Sequence, residues 1–123
     1  MTDDTQEKFR KEFRLRIAAY DGVMDRLNAE FGCALAVTCH AAPVQVEGYV
    51  EGKYLYFRAR WEEWQLAIAR DQNQAVQATI ELAHLAAYYA EGEAEGDEMA
   101  SWMSPEETER ILRRSLAEYL GAG

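Results

Sequence analysis

The stretch VQVEGYV-EG-KYLYFRAR, residues Val44 to Arg60, decides how this chain folds. Two runs rich in β-branched and aromatic residues flank Glu51-Gly52, where a two-residue turn closes them into a hairpin. The turn sets the register: Val50 opposite Lys53, Tyr49 opposite Tyr54, Glu47 opposite Tyr56, Val46 opposite Phe57 and Gln45 opposite Arg58. Side chains alternate along a strand, so one face collects Val44, Val46, Leu55, Phe57 and Ala59. The other collects Gln45, Glu47, Tyr49, Tyr54, Tyr56, Arg58 and Arg60. A slip of one residue would mix the two sets, so the apolar pattern and the turn specify the same pairing.

Trp64 to Ala69 follows a tight turn at Trp61-Glu62-Glu63 and reads as another strand, with Trp64, Leu66 and Ile68 on its inner face. On the other side, CALAVTC (Cys33 to Cys39) alternates in the same way and is broken by His40-Ala41-Ala42-Pro43. Before it, Phe9, Phe13, Ile17, Tyr20, Met24, Leu27 and Phe31 recur every three or four residues, the stripe of a long amphipathic helix. Glu7-Lys11 and Glu12-Arg16 stand four apart in the favourable order, and Gly32 is a natural stop.

After the strands, Asp71 with Gln74 reads as a helix cap, and the spacing of Val76, Ile80, Ala83 and Ala87 predicts a helix to about Ala90. Glu91 to Ala100 is acidic and carries Gly92 and Gly96, so a loop is expected. Ser104-Pro105-Glu106-Glu107 opens a final helix with Ile111, Leu112, Leu116, Tyr119 and Leu120 buried. The expectation is an α+β fold. A three- or four-stranded antiparallel sheet is packed on one face by a long N-terminal helix and two C-terminal helices, residues 1–123 forming one domain.

The formal net charge of -9 is unevenly spread. Residues 1–30 carry seven acids and six bases, and residues 41–70 four of each, whereas Glu91 to Glu109 holds eight acids and no base. A surface so charged disfavours nucleic acid or an anionic membrane as a direct ligand and suits a basic protein surface. No apolar run is long enough to span a bilayer, and the acidic N-terminus is unlike a secretory leader, so a cytoplasmic location is expected. Cys33 and Cys39 would lie about 20 Å apart on one strand, too far to bond, and read as reduced thiols.

Catalytic signatures are lacking. The sequence has no phosphate-binding glycine loop, no nucleophile elbow and no Cys-x-x-Cys pair. Cys33, Cys39, His40 and His84 lack the spacing of a zinc site, and Glu93, Glu95, Asp97 and Glu98 lack the order of a calcium loop, so neither metal nor cofactor is expected. An enzyme would have to assemble its site from Glu47, Tyr56, Arg58 and His84 with no evident nucleophile and base, and a non-enzyme is expected.

Two candidate contact surfaces remain. One is the acidic segment, with Glu91, Glu93, Glu95, Asp97 and Glu98. The other is the sheet face bearing Tyr49, Tyr54, Tyr56, Arg58 and Arg60, residue types enriched at interaction hot spots, unless a helix covers that face and makes the tyrosines core residues, or Arg58 and Arg60 pair with Glu47 or the Glu91–Glu98 loop. The functional expectation is a small acidic protein-binding module that occupies a basic, nucleic-acid-binding surface of a partner protein. Phage anti-defence and immunity proteins offer an analogy of size and charge. The alternative is a structural or adaptor subunit, or a homodimer, joined through the tyrosine-arginine face or the first helix.

Overall fold

The computed structural model describes residues 2–96 and 99–121, so Asp97 and Glu98 of the acidic segment lie outside the described residues. Helix α1 spans Thr2–Phe31. Tyr20, Val23, Met24 and Leu27 are buried, whereas Phe9, at the far end of the same stripe, is 56% exposed. Gly32 ends the helix in the left-handed region (φ 65), its N–H reaching the Asn28 carbonyl at 2.9 Å. The Asn28 side chain then bonds both backbone groups of Leu35, at 2.8 and 3.0 Å, and ties the first strand to the helix. Arg16 does not make the expected pair with Glu12. It turns inward and donates to the carbonyls of His40 (2.9 Å) and Met103 (2.8 Å).

The sheet has five strands in sequence order, β1 (Ala34–His40), β2 (Val44–Val50), β3 (Lys53–Arg60), β4 (Glu63–Ala69) and β5 (Tyr88–Glu93), every neighbour antiparallel. The β2–β3 register is the one the hairpin turn predicts, pair for pair. Glu51 and Gly52 both have positive φ (49 and 80), as a type I′ turn requires. The expected apolar face of this hairpin is buried throughout, and Trp64, Leu66 and Ile68 of β4 join it in one core with α1 and the last helix.

The fifth strand corrects the expectation of three or four. Helix α2 is short, Gln72–Ile80, capped by Asp71 as expected. It stops where the N–H groups of Glu81 and Leu82 converge on the Gln77 carbonyl, and a single 3-10 turn follows at Ala83–Leu85. Tyr88 to Glu93 then pairs with β4 instead of continuing the helix. Without it, the outer edge of β4 would leave its backbone groups unpaired beside the core. Alternation was present in YYAEGE, but the alanines before it fit a helical face equally well.

Helix α2 also lies on the side of the sheet opposite α1. Ala75 and Ala78 pack against Tyr56, Ala67 and Ala69, a second and smaller cluster. The expected one-sided layering is therefore wrong: short alanines let α2 approach the outer face closely, and tyrosines from β3 and β5 fill the space around it. Helix α3 spans Pro105–Gly121. Ser104 caps it by accepting the Glu107 N–H at 3.1 Å. The Glu107 carboxylate does not reach back to Ser104 but accepts the backbone N–H of Glu95 at 2.8 Å, anchoring the chain that leaves β5. On the protein's outer side, Arg26 grips Glu109 with two bonds (2.9 and 3.0 Å) and Arg113 bridges Glu30 and Glu109, clamping α1 to α3.

Candidate functional site

The acidic segment is half strand. Glu91 and Glu93 project from β5 on the sheet face that carries Gln65 and Glu63 of β4, since Gln65 pairs with Glu91 and Glu63 with Glu93. All three glutamates are exposed, and among the described residues none has an ion-pair partner. Glu63 and Glu93 are thus like charges directly opposed, an arrangement that destabilises a sheet by up to about 1 kcal/mol. Glu95 is different: its carboxylate pairs with Arg110 at 3.1 Å. The strand position has a cause in Gly92, which sits against the indole of Trp64 and lets β5 close on β4.

The tyrosine-arginine face is divided by α2. Tyr56 is buried beneath it and its hydroxyl accepts from Gln45 at 3.1 Å. Tyr54 donates to Glu47 at 2.8 Å, and burial, reinforced by that carboxylate, pushes its pKa up to about 12. Glu47 also receives Thr38 and Gln72, at 2.8 and 3.2 Å. Of the three tyrosines only Tyr49 stays open, 59% exposed with its ring edge-on to Tyr54. The pairing of Arg58 or Arg60 with Glu47 is absent; neither guanidinium has an ion-pair partner among the described residues.

Arg58 and Arg60 instead lie beyond the end of α2 and line a cavity of about 500 Å³. Its far wall is formed by Met99, Ser101 and Trp102, just ahead of α3. A 3-10 turn there, Ala100–Trp102, is pinned to two strand connections. The Ser101 carbonyl accepts the Ala42 N–H and its hydroxyl accepts the Trp61 N–H, each at 2.7 Å. Trp61, Met99 and Trp102 complete the rim, 60%, 48% and 39% exposed.

Two features mark this cavity. The Nε of Arg58 is buried with no hydrogen-bond acceptor among the described residues. Trp61 and Ala42, both on its lining, have left-handed backbones (φ 59 and 55), a conformation costing roughly 1–3 kcal/mol for residues other than glycine. Sequence reasoning singled out both arginines. It missed Trp61, Met99 and Trp102, because their convergence depends on the bonds that Ser101 makes to Ala42 and Trp61. The remaining signal was an indole at a hairpin turn.

The other polar candidates do not converge. Cys33 and Cys39 are free and half-buried, donating to Asn28 and to the Ala41 carbonyl. Burial raises the Cys33 thiol pKa. His84 is exposed on the 3-10 turn after α2, while His40 packs edge-on against Tyr20. Among the described residues no cluster of His, Cys, Asp or Glu suits a metal ion, and no helix is long and apolar enough to cross a membrane. Comparison with protein-family models, curated proteins and solved structures finds no match to this chain.

Proposed function

We propose that this protein is a binding module that docks a basic surface of a partner protein through the acidic outer side of β4 and β5. The observation that carries the reading is the direct opposition of Glu63 and Glu93, with Glu91 one step along the same face. Like charges held opposite each other lower the stability of the free protein, and a cationic partner relieves that repulsion on binding. The charge is also set on an edge strand, where it blocks pairing with another sheet while leaving side chains free for contact. Occlusion of a nucleic-acid-binding surface on the partner is the narrower form of the proposal.

Pull-down from a lysate of the native host, at low and high salt, tests it with the wild type beside the triple variant Glu63→Gln, Glu91→Gln, Glu93→Gln. A basic protein captured by the wild type at low salt and lost from the variant is the expected result. Equal capture by both proteins would sink the reading.

A second reading, an adaptor subunit or homodimer joined through α1, is favoured by one observation. The first turns of α1 project from the core with Phe9 and Leu15 exposed, 56% and 62%, and Phe9 stacked on Phe13. Sedimentation equilibrium of the wild type and of Phe9→Ser separates it from the first: a salt-resistant dimer dispersed by the substitution would favour α1.

A further inference from the structure

The cavity at the end of the sheet stands apart from the acidic strand, and its chemistry is of the opposite kind. Arg58 and Arg60 line the same wall, and neither guanidinium has an ion-pair partner among the described residues. An acceptor of fixed geometry is what such a pair recognises, and carboxylates and phosphates both offer it. The surroundings choose between them. Glu62 and Glu63 follow directly on the rim residue Trp61, and the whole chain carries a net charge of -9, so a dianion or polyanion is repelled where a single negative charge is held.

The remaining lining is aromatic and held in place. Trp102 is backed by the Arg16 guanidinium, 5.5 Å from its ring, and Arg16 is itself fixed by two backbone carbonyls. The Trp61 indole, set outward by its left-handed turn, carries Arg60 at 5.4 Å. Met99 adds a polarizable apolar edge. At about 500 Å³ the space matches a small-molecule site.

We propose that this cavity binds a monocarboxylate carried on a flat aromatic body, the carboxylate against Arg58 and Arg60 and the ring against Trp61 and Trp102. The same chemistry is offered by a free aromatic acid and by the C-terminus of a peptide ending in an aromatic residue.

The test is titration of the full chain with naphthoate, naphthylmethanol, naphthyl phosphate, and a short peptide ending in phenylalanine as acid or as amide. Tryptophan fluorescence and indole N–H resonances report binding. Naphthoate is expected to bind saturably, shifting the Trp61 and Trp102 resonances but not that of Trp64. The alcohol should bind about tenfold or more weakly. Arg58→Gln and Arg60→Gln should each weaken naphthoate by a similar factor, whereas Glu91→Gln should not. Tighter binding of the peptide acid than of naphthoate, lost in its amide, makes the source a chain terminus; the reverse order makes it a free acid. Either supports the proposal. Equal binding of acid and alcohol, preference for the phosphate, or no saturable binding by any probe would overturn it. If Arg58→Gln fails to fold, Arg60→Gln and the indole shifts decide alone.

Discussion

Gly92 lies flat against the indole of Trp64: a Cβ on Gly92 would stand 2.8 Å from two of the ring atoms, closer than side-chain carbons approach. Trp64 is buried in the main core and cannot swing away without opening it. Gly92→Ala is therefore expected to destabilise the protein by about 1–3 kcal/mol, the usual consequence of overpacking. Urea denaturation measures it. Hydrogen exchange should show the loss of protection concentrated in β5 and its partner β4. A wild-type midpoint would mean that β5 does not close on Trp64 in this way.

The opposed pair Glu63 and Glu93 makes a prediction of opposite sign. Neutralising one charge, in Glu93→Gln, should raise stability by about 0.2–1 kcal/mol, because the cross-strand repulsion is removed and no ion pair of the described residues is lost. The gain should shrink as salt is added, since both groups are exposed. Thermal melts at low and high ionic strength check both statements.

Tyr20 joins α1 to the start of α3. Its hydroxyl donates to the Met103 carbonyl and meets Thr108 Oγ1 at 2.9 Å, all within the core. Tyr20→Phe keeps the ring, takes the Tyr20 partner from buried Thr108 Oγ1 and leaves the Met103 carbonyl to Arg16 alone, so a loss of roughly 1–3 kcal/mol is expected with no change in the denaturant slope.

The same hydroxyl sets an alkaline limit. Burial pushes the Tyr20 pKa up to about 12, and Tyr54 and Tyr89 are likewise pushed up to about 12 by burial with a nearby glutamate. A folded pKa above the unfolded value of about 10 means stability that is complete below pH 10 and is lost as the pH rises towards the folded pKa. Titration followed by tyrosinate absorbance should show delayed ionisation of these rings, with unfolding beginning above pH 10. Ionisation of every tyrosine near pH 10 with the fold intact would contradict it.

At low pH the clamp between α1 and α3 is the sensitive element. The hydrogen bonds from Arg26, aided by Arg113, hold the Glu109 carboxyl below the ordinary glutamate range. A depressed folded pKa gives stability that is present above about pH 4 and lost as the pH falls through the folded value. Glu109→Gln should accordingly be less stable than wild type at neutral pH, and the difference should close in acid. A difference independent of pH would assign the effect of Glu109 to packing.

The hairpin and its register follow from residues close together in the chain. Glu51-Gly52 can adopt the two left-handed conformations of a tight turn, and with the turn in place the alternation of Val44 to Arg60 allows one pairing. The α1 stripe, its stop at Gly32 and the Ser104 cap were legible for the same reason: each depends on residues within a turn or two of one another. Contacts between distant segments lay beyond the sequence. YYAEGE could end a helix or form a strand until β4 offered it an unpaired edge and Trp64 a place for Gly92. Whether Tyr56 was a contact residue or part of a core was decided by α2 crossing to the outer face. Arg58 and Arg60 were visible as charges on a strand, but only the bonds that Ser101 makes to Ala42 and Trp61 bring Trp61, Met99 and Trp102 around them. Local propensity acts between neighbours in the chain, whereas a cavity is made by chain crossings, and no spacing in the sequence records where those fall.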